Sequence, residues 1–185
     1  RIGNIISKIP SKKWIDVFKL YWNDNPEINN LFKLLNDNLC ELGYEESVFL
    51  EGSAILRNEG SILDVTRVKE IYNKNNSEQK VYSKDKDVSI NTNILSALIS
   101  EITLCVSEDL KDHKEFINNT DLLDFPGARN RFKRSLFQAF EPATSAKPDE
   151  KFSLSGLLLR GKIAYLFDKY AAAQEITAML LCVPD

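Results

Sequence analysis

The sequence predicts a mixed α/β protein with two parts: a mainly helical subdomain over residues 1–75 and an α/β part over residues 76–185. Three observations predict this. Apolar side chains recur at helical spacing near the start of the chain. Strand patterns alternate with helical patterns in the later part. Finally, Ile176–Val183 is a continuous apolar run whose length suits a strand buried on both faces of a sheet.

The composition excludes some classes of partner. Of the 185 residues, 43% are hydrophobic and 28% charged, which is ordinary for a globular protein. The net charge of −3 gives no electrostatic reason to expect nucleic acid, whose phosphates attract basic surfaces. No apolar stretch reaches the roughly 18 residues that a transmembrane helix needs, so we predict no transmembrane segment. The chain begins at Arg1 rather than at a methionine, and we expect it to be a piece of a longer protein.

The cysteines and the single histidine do not indicate a metal site. Cys40, Cys105 and Cys182 are far apart and without C-x-x-C spacing, which predicts reduced thiols that are buried as small hydrophobic groups. His113 stands in a run of charged residues, so we expect it on the solvated surface.

Two helices are predicted near the start. The first covers residues 12–22, with Ser11 as its N-cap. The second runs from Pro26 to about Leu42; Asn25 caps it and Gly43 ends it. Their Trp, Phe and Leu side chains indicate a core rather than a cofactor site.

Strands are the main elements predicted in the middle of the chain. Ser47–Glu51 reads as a short strand, and Lys80–Ser83 with Asp87–Asn91 as a β-hairpin. A short helix at Asn93–Glu101 is expected to lead into a strand at Ile102–Ser107.

In the last third of the chain, strands and a helix are predicted to alternate. A short strand at Thr120–Asp124 is followed by a loop over residues 125–151, a helix at Ser153–Tyr170 and the buried strand at Ile176–Val183. This order argues for a sheet with at least one crossover.

One motif carries chemistry. Asp124 stands at the carboxyl end of a predicted strand, where α/β folds bind ligands, and Gly127 follows three positions later, after Phe125 and Pro126. In nucleotide hydrolases, the Asp of D-x-x-G holds Mg²⁺ through a water, and the Gly amide approaches the γ-phosphate because no Cβ is in the way. The alternative is an ordinary turn, since Pro and Gly both favour turns. The neighbouring strands and helix favour the first interpretation, because they follow the order of the second to fourth strands of a GTPase-type sheet.

The chain also resembles a known family. Thr120–Arg131, Leu157–Tyr170 and Leu180–Val183 resemble the SrfC-like virulence factor family of Gram-negative bacteria. The resemblance implies a large protein of a virulence operon whose N-terminal region is similar to a dynamin-type P-loop GTPase. It also implies other proteins of the operon as partners, and a bacterial cytoplasmic location or secretion as an effector.

The resemblance implies roles for particular residues. Asp124 matches the carboxylate at the Mg²⁺ shell, and Gly127 matches the amide at the γ-phosphate. Arg129 and Arg131 fall in the second switch; the alternative for both is a solvated basic loop. Mg²⁺ and GTP, or ATP, are implied for the intact protein, and none for this piece alone.

Two hallmarks of such a site are absent from the sequence. Arg160–Ile163 contains Gly-Lys, but without the following Ser or Thr of a phosphate loop, and Asn118–Asp121 lacks the Lys of a guanine-reading N-K-x-D. We therefore expect the phosphate loop elsewhere in the intact protein, with residues 1–75 as an inserted helical subdomain of a partial P-loop GTPase-like sheet. The two functional interpretations are a GTPase-like enzyme piece, and a non-catalytic binding or scaffold module of a virulence-associated complex. Exposed strand edges lead us to expect self-association as well.

Overall fold

The computed structural model describes residues 6–56, 61–73, 77–105, 120–121, 123–124, 154–176 and 178. These residues form helices and a three-stranded antiparallel sheet, so the chain is broadly α/β, as predicted. The α-helices are α1 (Trp14–Phe18), α2 (Pro26–Glu41), α3 (Thr92–Leu98) and α4 (Leu154–Ala172). The strands are β1 (Phe49–Leu50), β2 (Glu78–Tyr82) and β3 (Asp87–Asn91), and 3₁₀ helices lie at Ser11–Lys13, Lys19–Trp22, Gly52–Ile55 and Val65–Glu70.

The chain divides into two compact units. Among the described residues, the first unit contains those up to Ile99 together with Leu154–Leu159, and the second contains the remainder. The predicted boundary between residues 75 and 76 lies within residues 74–76, outside the described residues, and that division stays a prediction.

The first predicted helix is confirmed in extent but not in its cap. Residues 11–22 form a 3₁₀ turn, then α1, then a second 3₁₀ turn. Ser11 is already inside the first turn, because the backbone N–H of Lys13 donates to the carbonyl of Pro10 at 2.8 Å. Pro10 is therefore the capping position, and it makes no side-chain cap bond. The run ends at Asn23, whose φ of 51° is left-handed.

The second predicted helix is confirmed at both ends. The Asn25 side chain accepts hydrogen bonds from the backbone N–H groups of Glu27 and Ile28, at 3.0 and 3.2 Å. Pro26 occupies the first helical position, where its missing N–H costs nothing. Gly43 follows the helix with φ of +68°, a left-handed conformation that glycine adopts without a Cβ penalty.

Aromatic contacts join the first helical run to α2. The ring centroid of Phe32, on α2, is 5.6 Å from that of Phe18 and 5.8 Å from that of Trp22. The indole N–H of Trp22 donates to Oδ1 of Asn29 at 2.7 Å. These residues are packing residues, as the sequence predicted.

The predicted hairpin is confirmed. β2 and β3 pair antiparallel with Val81 opposite Val88, and β1 adds to the other side of β2. Val81 and Ile90 are 0% and 2% exposed, so the inner face of the hairpin contributes directly to the core. β1 is only two residues long, shorter than the predicted Ser47–Glu51.

The predicted pair of strands before the motif is wrong in the part that the structure describes. Residues 102–105 form no strand, and Thr103, Leu104 and Cys105 are exposed in succession. A strand that packs on a core instead alternates buried and exposed side chains. The described residues of Thr120–Asp124 are likewise exposed and outside any strand.

Other predictions fall partly outside the described residues. Ile176 and Ala178 lie outside any strand, and the rest of Ile176–Val183 is not described. The expected burial of the cysteines is wrong for Cys40 and Cys105, which are exposed. Cys182, His113 and the predicted loop over residues 125–151 lie outside the described residues.

A buried polar side chain joins two elements of the first unit. Asn93 is the second residue of α3 and is 0% exposed. Its side-chain N–H donates to the carbonyl of Glu70 at 2.7 Å, and its Oδ1 accepts from Arg67 at 3.3 Å. Arg67 and Glu70 both belong to the 3₁₀ helix Val65–Glu70, so this amide joins α3 to that helix. The apolar core lies beside it and contains Leu31, Val68, Ile71 and Ala97, with Leu154 and Leu158 of α4 packed against them.

We expect Asn93→Ala to lower the free energy of unfolding by about 2–4 kcal/mol, because it creates a cavity and leaves the Glu70 carbonyl and the Arg67 guanidinium without their buried partner. Urea denaturation measures the change. The matched control is Asn30→Ala at an exposed position of α2, where a change within about 0.5 kcal/mol is expected. Equal effects of the two substitutions would contradict the role of Asn93.

Candidate functional site

The structure describes one residue of the predicted nucleotide site. Asp124 is exposed and lies outside regular secondary structure. Phe125, Pro126, Gly127 and Arg129 lie outside the described residues. The structure therefore presents the Asp124 carboxylate to solvent, and the grouping of these five residues into one site stays a prediction.

No metal centre is visible in the part of the chain that the structure describes. Within it, no three His, Cys, Asp or Glu side chains come together as a metal-binding group. Such a group is not what the motif requires, because Mg²⁺ in nucleotide sites is held through one or two carboxylates, several waters and the phosphates themselves.

An apolar cavity of about 220 Å³ lies in the first unit. Its walls come from α2, from the 3₁₀ helix Val65–Glu70 with the turn that follows it, and from the first turns of α4. Leu31, Val68 and Leu158 contribute apolar surface, and Lys69 and Tyr72 contribute polar atoms. Burial raises the pKa of the Tyr72 phenol, and the Glu27 carboxylate raises it further, so Tyr72 is a hydrogen-bond donor at neutral pH.

A polar cluster lies in the second unit. The Lys169 ammonium contacts Oε2 of Glu101 at 2.8 Å, and the Tyr170 hydroxyl donates to Oε1 of the same carboxylate. Lys169 also lies over the Tyr170 ring, 5.1 Å from its centroid. Hydrogen bonds from Lys169 first, and then from Tyr170, lower the pKa of the Glu101 carboxyl. The cluster joins the chain just after the first unit to the last turn of α4. Sequence reasoning missed it, because partners 68 residues apart leave no local signal.

The second unit also exposes several large apolar side chains. Leu104 is 62% exposed, Tyr165 58%, Phe167 45% and Leu123 42%. Tyr165 and Phe167 belong to α4, which carries apolar residues all round rather than along one stripe. A helix of that composition is normally covered on every side.

The comparisons with known proteins decide the family. A family model described as "Putative bacterial virulence factor" matches residues 6–185. The chain belongs to this bacterial virulence factor family. The match covers both compact units and the whole Asp124 motif, and it confirms the bacterial virulence factor label, while membership of the SrfC-like family stays a prediction. No curated protein and no solved structure matches the chain.

Within the described ranges, no helix of this virulence factor chain is both long enough and apolar enough to cross a bilayer.

One titratable group of the virulence factor chain has a strongly shifted pKa. Lys162 is half-buried in the middle of α4. Burial penalises its charged form and lowers the pKa of the ammonium from 10.5 to about 8. Lys162 follows Gly161 in the Gly-Lys pair that lacks the Ser or Thr of a phosphate loop, and the structure places both residues inside a helix, as predicted.

The lowered pKa of Lys162 predicts a pH dependence of stability. Between about pH 8 and pH 10.5 the unfolded chain binds more protons than the folded chain, so the free energy of unfolding should rise with pH across that window. We expect Lys162→Met to abolish this rise and to stabilise the protein at pH 7 by about 3 kcal/mol at most. Urea denaturation of both proteins from pH 7 to pH 11 measures the difference.

The matched control for Lys162 is Lys33→Met, which removes an exposed lysine of α2. We expect this variant to keep the pH profile of the parent protein. Parallel profiles for the parent and Lys162→Met would contradict the assignment of the shifted pKa to Lys162.

Proposed function

We propose that the chain carries the second-switch segment of a GTPase-like nucleotide-hydrolase domain. Asp124 holds Mg²⁺ through a water, and the Gly127 amide contacts the γ-phosphate of GTP or ATP. Phe125, Pro126 and Arg129 belong to the loop that changes shape when this phosphate leaves. The observation that carries the proposal is the order Asp-Phe-Pro-Gly over residues 124–127, which begins with an exposed carboxylate.

The chemistry asked of these residues is limited and specific. Phosphoryl transfer depends on positioning and on neutralising charge, and bound Mg²⁺ supplies most of that neutralisation. The carboxylate of Asp124 orients the water that holds the ion, and the glycine leaves room for the backbone to approach the phosphate. The proposal requires a phosphate loop and a base-reading motif in parts of the protein outside these 185 residues. The 185 residues by themselves should therefore bind nucleotide only weakly.

The test uses the full-length protein. Asp124→Asn keeps the size of the side chain but removes the charge, and we expect the rate of GTP or ATP hydrolysis with Mg²⁺ to fall by about 10- to 100-fold, as for other groups that act on a metal through a bridging ligand. Phosphate release measures the rate. Asp121→Asn is the matched control, since Asp121 is also exposed and lies three positions earlier, outside the motif. Unchanged hydrolysis in Asp124→Asn would remove the proposed role.

A second function is favoured by a separate observation. The four exposed apolar side chains of the second unit, two of them on α4, suit a binding or scaffold module of a virulence-associated complex. In this interpretation Pro126 and Gly127 form only a turn. Loss of function would then follow changes of apolar surface and would not follow Asp124→Asn.

If the scaffold interpretation holds, we expect the double variant Tyr165→Ser, Phe167→Ser to bind a purified protein of the same operon at least about 10-fold more weakly. Truncating large aromatic side chains that become buried in an interface costs more than about 1.4 kcal/mol. Titration calorimetry measures the affinity. Leu20→Ser is the control, since Leu20 is an exposed apolar residue of the first unit, at 77%. An unchanged affinity in the double variant would count against this second function.

A further inference from the structure

β3 forms one edge of the three-stranded sheet. The hydrogen-bonding pattern of the hairpin shows which of its backbone groups are used. Beyond one end of the ladder, the N–H of Ser83 donates to the carbonyl of Lys86 at 3.2 Å, and beyond the other end the N–H of Thr92 donates to the carbonyl of Ser77 at 3.0 Å. Hydrogen-bonded pairs in an antiparallel ladder recur every second residue, so the even-numbered residues of β3 bond to β2.

The odd-numbered residues of β3 therefore direct their backbone groups outward. These residues are Asp87, Ser89 and Asn91. No strand among the described residues pairs with this outer side. The side chains of Asp87 and Ser89 are exposed as well, so a second strand has access to this edge.

The outer edge of β3 lacks most of the usual devices that prevent strand pairing. Natural edge strands are protected by charged side chains, proline, a bulge or very short length, and of these β3 carries one charged side chain, Asp87, which pairs with Lys80 of β2 at 3.1 Å. β3 is five residues long, Asp-Val-Ser-Ile-Asn, and its register with β2 runs without a bulge. The opposite edge of the sheet, β1, is by contrast only two residues long.

We propose that β3 pairs antiparallel with β3 of a second copy of this chain, about a twofold axis at Ser89. In this register Ser89 lies opposite Ser89 of the second copy, and Asp87 lies opposite Asn91. The outward backbone groups of these residues therefore face one another. Each such pair can exchange two bonds, but the Asn91 carbonyl already accepts the first bond of α3, so the interface forms about four backbone hydrogen bonds. The two three-stranded sheets become one continuous sheet.

The side chains of β3 are complementary to themselves in this register. Asp87 faces Asn91 of the second copy, and the same pair forms again on the other side of the axis. Oδ1 of Asn91 already accepts from the backbone N–H of Asn93 at 2.9 Å, so its amide N–H₂ is the group that donates to the Asp87 carboxylate opposite. A parallel copy would place Asp87 beside Asp87 instead, which like charges disfavour.

The side chains on the inner face of β3 are also complementary to those of the second copy. Val88 faces Ile90 of the second copy, and both belong to the face that covers the core. Ile90 is 2% exposed and Val88 is half-buried, so pairing extends the apolar layer along the sheet and covers Val88 further. The strand therefore presents matching polar pairs on one face and matching apolar pairs on the other.

The main experiment is a cross-link at the axis. Ser89→Cys is made in the full-length protein in which Cys40, Cys105 and Cys182 are replaced by Ser. The two Cα atoms at position 89 would be about 5.5 Å apart, a separation that a disulfide spans. Under mild oxidation we expect a disulfide-linked dimer to form at least about 10-fold faster than with Ser100→Cys, an exposed position outside the strands, because pairing holds the two thiols together. Equal rates in the two variants overturn the proposal.

A second variant weakens pairing at the outer edge of β3 and leaves the hairpin intact. Ser89→Pro deletes an outward N–H and no bond of the β2 ladder, and proline is accepted on edge strands for that reason. We expect sedimentation equilibrium to show at least about 10-fold weaker self-association, which corresponds to about 1.4 kcal/mol. Circular dichroism should show an unchanged fold. Ser89→Thr is the control and should associate as the parent protein does. A folded Ser89→Pro protein with unchanged association, or a parent protein that stays monomeric at high concentration, overturns the proposal.

Discussion

The first unit depends on one buried amide. Asn93 is 0% exposed and its side chain bonds to the Glu70 carbonyl and to Arg67, so the position of α3 relative to the 3₁₀ helix Val65–Glu70 is set by polar geometry as well as by apolar contact. Burying an amide is unfavourable unless its groups are hydrogen-bonded, which makes this arrangement specific. Leu31, Val68 and Ala97 complete the core beside it.

The same arrangement determines what the sheet leaves exposed. Because the residue that begins α3 follows β3 immediately, the chain turns away from the sheet at Asn91, and no later described strand covers the outer side of β3. The inner face of the hairpin is covered, and no described strand pairs with its outer edge. In the second unit, α4 carries exposed Tyr165 and Phe167 although its composition suits burial. The edge of β3, these side chains and Asp124 are the binding surfaces that we propose for this protein.

Sequence patterns predicted the local elements well where the signal was local. The caps of α2, the hairpin and the extent of α4 agree with the prediction, since each depends on neighbours within a few residues. Prediction failed where the outcome depended on pairing with distant segments. Residues 102–105 have apolar character, but they do not form the predicted strand, and Leu104 is exposed. Of the predicted nucleotide site, the structure describes only Asp124, which is exposed, and the grouping of the five residues stays a prediction because such a grouping is a property of the folded chain.

The sequence by itself determined the family, the positions of the main helices and the D-x-P-G motif, because these are encoded in the order and spacing of nearby residues. Only the tertiary structure decided that the described sheet is antiparallel, that Asn93 joins α3 to the 3₁₀ helix Val65–Glu70 and that Glu101 bonds to Lys169 and Tyr170. The physical reason is that burial and long-range hydrogen bonds depend on which segments come together in space. A pattern of single residues shows that a side chain is able to make such a contact, and the fold selects its partner.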